Sequence, residues 1–176
     1  THRRVGSLSN RTTHPYLIEM IQELFNNLGF GVRLINPYQF MTKGQMVSNC
    51  KDSKMLSEIV DLTVSCSHWK RKNQQCGYCV PCMIRRAALM KGTLKESISY
   101  HHASYPTLRD FVKNKQDGRD DVIAVSVALD KSKKINLKSW VLKSGKLKFE
   151  DLDKYEQVFS DGLLEVEDFL KKEKVI

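Results

Sequence analysis

The chain has 176 residues, 41% of them apolar, with 29 Lys and Arg against 20 Asp and Glu for a net charge of +9. That length can bury a real core and allows one domain, or one domain with an appendage. No apolar run approaches membrane-spanning length and no secretory leader is visible, so a soluble, cytoplasmic chain without a membrane partner is expected.

The charge is unevenly shared. Residues 1–96 hold 14 Lys and Arg against 6 Asp and Glu, whereas residues 97–176 hold 15 against 14. The first half is therefore the part that faces something anionic. Nucleic acid, nucleotide phosphates or an acidic partner would all satisfy such a field, and so would a merely well-solvated basic surface. The sequence starts at Thr1 without a methionine, which suggests a cut or processed chain.

Residues 1–14 have no apolar period and carry Arg3, Arg4 and Arg11 among serines and threonines, so they read as loop. Pro15 suits the first turn of a helix, with Thr13 or His14 as its cap. Leu17, Ile21, Leu24 and Leu28 then recur at helical spacing, Ile18 and Phe25 widen the stripe, and Gly29 stops it, which predicts a helix with one buried face. Gly31 to Ile35 reads as a short strand ended by Asn36-Pro37. A helix followed by a strand is the repeating step of an α/β layer. Ligands in such layers sit beyond the carboxyl ends of strands, so Asn36 to Val47, with Thr42 and Lys43, becomes a candidate ligand loop. Spacing alone favours the plainer reading of Lys43 as a solvated lysine at a helix start.

Met46 to Val60 predicts two short helices broken near Lys51-Asp52-Ser53, with Ser53 capping the second. Cys50 lies between them and reads as a small buried hydrophobe, since no paired base accompanies it. Asp61 to Val64 is expected to be a short extended piece delivering Cys66.

Four of the five cysteines follow in one stretch, Ser65 to Gly92. Cys66, Cys76, Cys79 and Cys82 have nine, two and two residues between them. The short gaps let thiolates converge on one cation, and the long gap returns the chain with a fourth sulfur, which predicts a closed tetrahedral zinc site. Gly77 permits a tight turn after Cys76 and Pro81 stiffens the approach to Cys82. Lys70, Arg71, Lys72, Arg85 and Arg86 would offset the charge of a zinc held by four thiolates. An iron–sulfur cluster is the less suitable alternative, because its fourth cysteine commonly follows the run and is trailed by proline. Disulfides fit poorly with an odd cysteine count and no leader. His68 could replace a thiolate, but four cysteines already complete the shell, and a loop histidine is the simpler reading.

A helix from near Cys82 closes at Gly92. Leu94 to Pro106 reads as a connector, and its adjacent His101 and His102 cannot share one helical face, which argues against a second metal site. Thr107 to Lys115 and Asp120 to Leu129 are expected to be helical, the latter against a competing strand pattern. Asp151 to Phe159 and Leu163 to Leu170 read as a helical pair around Gly162 that supplies packing surface.

Thr42-Lys43 together with the pattern C-x9-C-G-x-C-x-P-C-x-x-R-R-A resembles the 7-cyano-7-deazaguanine synthase family, also called QueC-like or ExsB-like. The resemblance runs from about Ser7 to Gly92. It implies the C-terminal part of an ATP-pyrophosphatase, adenine nucleotide alpha hydrolase-like α/β fold: residues 1–96 with the zinc module at 65–92, followed by a mainly helical extension at 97–176. It also implies an enzyme that uses ATP and Mg2+ to adenylate the carboxylate of a 7-carboxy-7-deazaguanine-like substrate before an amine displaces AMP. By motif, Cys66, Cys76, Cys79 and Cys82 would be structural zinc ligands, and Thr42 and Lys43 would lie near the nucleotide or substrate. A mobile lysine there would stabilise charge on departing phosphates. Arg85 would serve either substrate contact or helix-to-loop bonding.

Two features depart from the family. No S-G-G-x-D-S nucleotide loop is present, Ser144-Gly145-Lys146 lacking the second glycine and the aspartate, and there is no Walker-type loop. The simplest expectation is the C-terminal part of a longer enzyme. The long tail and the opening S-L-S-N-R-T-T-H-P look more like the QueC-like components of anti-phage operons such as the Qat system. In that branch the amine acceptor would be a partner protein; an operon protein or a second copy of the chain is the partner to look for. A zinc-stabilised nucleic-acid-binding module is the alternative of another class, with few aromatics, Trp69 and Tyr78, to support it. A scaffold without its own catalysis is the third.

Overall fold

The computed structural model describes residues 13–69, 73–116 and 118–176, and among them every regular element is helical. Helix α1 spans Pro15–Asn27, with the proline in its first turn and His14 Nδ1 accepting the Tyr16 amide at 3.3 Å. The expected strand at 31–35 is not formed. A strand needs a neighbour to complete its ladder, and here Gln22 of α1 supplies the partner groups instead. Its Nε2 donates to Val32 O at 2.8 Å and its Oε1 accepts the Leu34 amide at 2.7 Å. The α/β layer expected for this part is accordingly not seen among the described residues. The predicted buried face of α1 is also largely open, since none of its residues is buried and Leu24 is 53% exposed.

Helices α2 (Lys43–Ser48) and α3 (Ser53–Ile59) are the two short helices expected, the second capped by Asp52 rather than Ser53. Asp52 wins because its carboxylate reaches the Met55 amide at 2.8 Å. A 3-10 turn at Val60–Leu62 then leads into the extended residues before Cys66. Helix α4 (Val80–Lys91) follows the cysteine turn and is closed by Gly92.

Beyond it come α5 (Leu108–Lys113), α6 (Arg119–Ser132), α7 (Leu137–Leu142), a 3-10 turn at Phe149–Asp151 and the long α8 (Leu152–Lys172). The competition in α6 is won by the helical period: Val122 and Leu129, two turns apart, are buried, while Ile123 and Val127 face out. The helical pair expected around Gly162 is instead one continuous helix. An interior glycine costs about 1 kcal/mol, and the packing of Leu163, Val166, Phe169 and Leu170 into the core outweighs it.

One core joins these elements. Met83 and Ala87 of α4 meet Leu108 of α5, Val122 and Leu129 of α6, and Val166, Phe169 and Leu170 of α8. The cysteine helix is thus seated on the helices of the tail. No described helix is long and apolar enough to cross a membrane.

Candidate metal centre and the adjoining loop

Two arms bring the cysteines together, and Gln75 staples them. Its Oε1 accepts the Ser65 amide at 3.1 Å and its Nε2 donates to Thr63 O at 3.3 Å. After Cys76 the chain reverses at Gly77, whose φ of +80° suits a residue without Cβ. Cys79 then precedes α4 as its cap, and Pro81 sits in the first turn.

The four sulfurs form one buried cluster, with Cys79 and Cys82 at 0% exposure, walled by Trp69 and Tyr78. Cys76 Sγ and Cys82 Sγ are 3.9 Å apart. Amides of His68 and Cys76 point at Cys66 Sγ from 3.3 and 3.2 Å, and the Cys79 amide points at Cys76 Sγ from 3.3 Å. Such donors stabilise sulfur as thiolate. The potential ligand atoms of Cys66, His68, Cys76 and Cys79 all lie within 4.8 Å of one another. His68 Nδ1 is buried with no hydrogen-bond partner.

Electrostatics agree with a cluster suited to a cation. Hydrogen bonds from Cys76 and Cys82 outweigh burial and hold the Cys79 thiol far below the ordinary thiol range. The hydrogen bond with Cys79 foremost raises Cys76, and the bonds with Cys76 and Cys79 raise Cys82. Protons are shared among sulfurs too close to ionise together, and a divalent cation would replace them. Burial first, then the charge of Cys76 and Cys66, pushes Tyr78 up to about 12. Soft donors converging at this spacing, with one orphaned imidazole nitrogen beside them, fit zinc. Bound there, zinc would cross-link the two arms, and its role would be structural.

Of the five cations expected to balance the charge, Arg85 and Arg86 are described, and both are paired with carboxylates. Lys70, Arg71 and Lys72 lie outside the described residues. Arg85, 7% exposed, bonds helix to loop: its guanidinium donates to Glu96 Oε1 at 2.6 Å, to Val60 O at 2.6 Å and to the Thr63 hydroxyl. Arg86 donates to Glu173 Oε1 at 2.5 Å and to Gly77 O at 3.3 Å, stacked between Tyr100 and Phe169. His102 completes this group, with Nδ1 3.2 Å from Cys76 O and Nε2 3.4 Å from Arg86 Nη1. Burial lowers its pKa, and Arg86 lowers it further.

Thr42 caps α2 through a reciprocal box with Gln45, the Thr42 amide donating to Gln45 Oε1 at 2.9 Å and Thr42 Oγ1 accepting the Gln45 amide at 3.0 Å. Its hydroxyl donates to Glu165 of α8, which also accepts the Gly44 amide at 3.1 Å. Thr42 is therefore buried and engaged, whereas Lys43 is exposed on the wall of a large apolar cavity. Cys50 is half-buried and stands apart, its Sγ 3.4 Å from Asp52 O.

A family model described as queuosine biosynthesis protein QueC matches residues 13–93. This segment is QueC-like. No curated protein and no solved structure matches the chain. The QueC-like segment contains α1 to α4 and the whole cysteine cluster, while Glu165, Glu173 and His102, which brace it, lie beyond its end. Glu165 and Glu173 carried no sequence signal, each being a single acidic residue in or just after an amphipathic helix, and His102 stood out only as one of an adjacent pair weighed as a second metal site. His68 did carry a signal, its place two residues from Cys66.

Proposed function

We propose that the chain is part of an ATP-dependent QueC-like ligase that adenylates the carboxylate of a 7-deazaguanine and passes the acyl group to an amine. The QueC match over residues 13–93, ending just after a cysteine cluster of zinc-site chemistry, is the observation that carries this reading. Cys66, Cys76, Cys79 and Cys82 would hold the zinc and fix the turn that starts α4. Lys43 would face the nucleotide or substrate from the start of α2. The Mg2+-ATP site would be completed by a loop of the S-G-G-x-D-S kind that these 176 residues do not contain. With ammonia as the amine, a second activation would yield 7-cyano-7-deazaguanine; with a protein amine, as in a defence operon, the product would be an amide adduct.

The complete gene product, given ATP, Mg2+ and 7-carboxy-7-deazaguanine, should release AMP only when the acid is present. Chromatography of the small molecules and intact-mass analysis of proteins would separate nitrile from adduct. Absence of both AMP formation and binding of the acid would refute the ligase reading.

One observation favours a second reading. Glu165 already occupies the Thr42 hydroxyl and the Gly44 amide, as it would in a scaffold that uses this loop for packing alone. A scaffold would show an intact metal centre and no AMP release with any amine.

A further inference from the structure

We infer that the open cavity lined by α1, α2, α4, α6, α7 and α8 binds an anionic single-chain amphiphile of the fatty-acid class, with its tail inside and its carboxylate at Lys43 or Lys143. The cavity holds about 700 Å³, within the range of small-molecule sites. Its lining is overwhelmingly apolar, with Met83, Val125, Trp140, Val158, Phe159 and Leu163 among the walls. A cavity of this kind stabilises a ligand by taking its hydrocarbon from water, without selecting a polar shape.

Apart from its lysines, the polar groups on its walls are already engaged. Glu165 is taken by Thr42 and Gly44, and the Tyr155 hydroxyl accepts Gln39 Nε2 at 2.5 Å. A nucleobase would leave its own donors and acceptors unmatched there, at the cost of burying unpaired polar groups. A hydrocarbon chain would not. Lys43 and Lys143 both line the cavity, both are exposed, and neither has an acidic partner among the described residues. Either lysine would complement a negative head group. The inference goes beyond the ligase reading, with which it shares Lys43, and draws most of its walls from residues beyond the QueC-like segment.

The test uses the intact chain and cis-parinarate, a polyene fatty acid excited by energy transfer from Trp140. Transfer should saturate, and laurate should displace the probe while dodecanol competes less well. Between eight and twelve carbons, each added methylene should tighten binding about fourfold. Gly162→Leu fills the cavity from α8: a Cβ there meets only Thr42 Cγ2, at 3.9 Å, so the backbone need not move. Removing an interior glycine also favours the helix. That variant should melt no lower than the parent and bind about tenfold more weakly or worse. Ala128→Leu, entering from α6, should do the same. Lys43→Glu with Lys143→Glu should weaken laurate about fivefold and leave dodecanol unchanged. Absence of saturable transfer, affinity indifferent to chain length, or unchanged binding in a folded Gly162→Leu would overturn the inference. Displacement of the probe by ATP or 7-carboxy-7-deazaguanine but not by laurate would also overturn it, and would assign the cavity to the ligase substrate.

Discussion

Glu165, near the middle of α8, accepts both the hydroxyl proton of Thr42 and, at 3.1 Å, the amide of Gly44. The tail is thereby fastened to the start of α2 by a buried carboxylate. Gly44 permits this approach, since a Cβ there would stand 2.4 Å from Glu165 Oε1. Replacing Glu165 with Ala strands two donors in a dry site and should cost about 2–4 kcal/mol. Gly44→Ala should cost a similar amount by driving the carboxylate away. Because both changes break one contact, the double variant should lose clearly less than the sum, as read from urea midpoints. Strict additivity would mean that the contact does not hold the two elements together.

The metal centre makes a sharper prediction. Purified protein should carry one zinc equivalent, and a chelator should lower its melting temperature. Cys76→Ser, Cys79→Ser and Cys82→Ser should each lose the metal. His68→Ala should retain it, and its cobalt derivative should show the charge-transfer intensity of four thiolates. Cys82 is the candidate for the fourth thiolate, at the start of α4 behind Pro81, with no exposed surface and 3.9 Å from Cys76 Sγ. If His68→Ala empties the site while Cys82→Ser stays loaded, the shell is Cys66, His68, Cys76 and Cys79.

The cluster was legible because spacing in the sequence translates directly into convergence when the gaps are two residues long. Cys76, Cys79 and Cys82 needed only one turn and one helix start to meet. Helix α1 was legible from its apolar period and its start from Pro15, α4 from the glycine that closes it, and α6 from its length and Asp-rich start against an apolar pattern that also suited a strand. What could not be read was whatever depends on a distant partner. The segment 31–35 has the composition of a strand, but Gln22 satisfies its backbone. Gly162 looks like a break until the core contacts of its neighbours are known. Arg85 offered two roles, and Glu96 and Val60 decide for helix-to-loop bonding, through residues 11 and 25 positions away.

His102 should give stability a pH dependence of defined sign. Its neighbours fix the neutral form, with Nδ1–H directed to Cys76 O and Nε2 accepting from Arg86. Burial, then Arg86, depresses its pKa below the ordinary value of 6.5, against weaker opposition from the hydrogen bond to Cys76 O and then the charge of Glu173. The unfolded chain protonates first, so the contribution is fully present above pH 6.5 and is lost as pH falls towards the folded pKa. His102→Gln cannot titrate. The melting-temperature gap between parent and variant should therefore shrink from pH 7.5 to pH 5.5, and a constant gap would show that folding leaves the pKa of His102 where it is in the unfolded chain.

Gly77 couples the same histidine to the metal turn. Its φ of +80° disfavours any side chain, and a Cβ would lie 2.2 Å from His102 Nδ1. Gly77→Ala should therefore suffer two penalties, backbone strain of about 1 kcal/mol and displacement of the imidazole from Cys76 O. Both act on the residue directly after Cys76 of the cluster, so zinc affinity should fall together with stability. Combining the change with His102→Ala separates the two. The clash with the imidazole disappears while the strain and the 2.9 Å approach to Tyr100 Cβ remain, so the double variant should cost less than the two single changes added together yet more than His102→Ala alone. Zinc affinity equal to the parent in Gly77→Ala would show that the turn bends without moving the sulfurs.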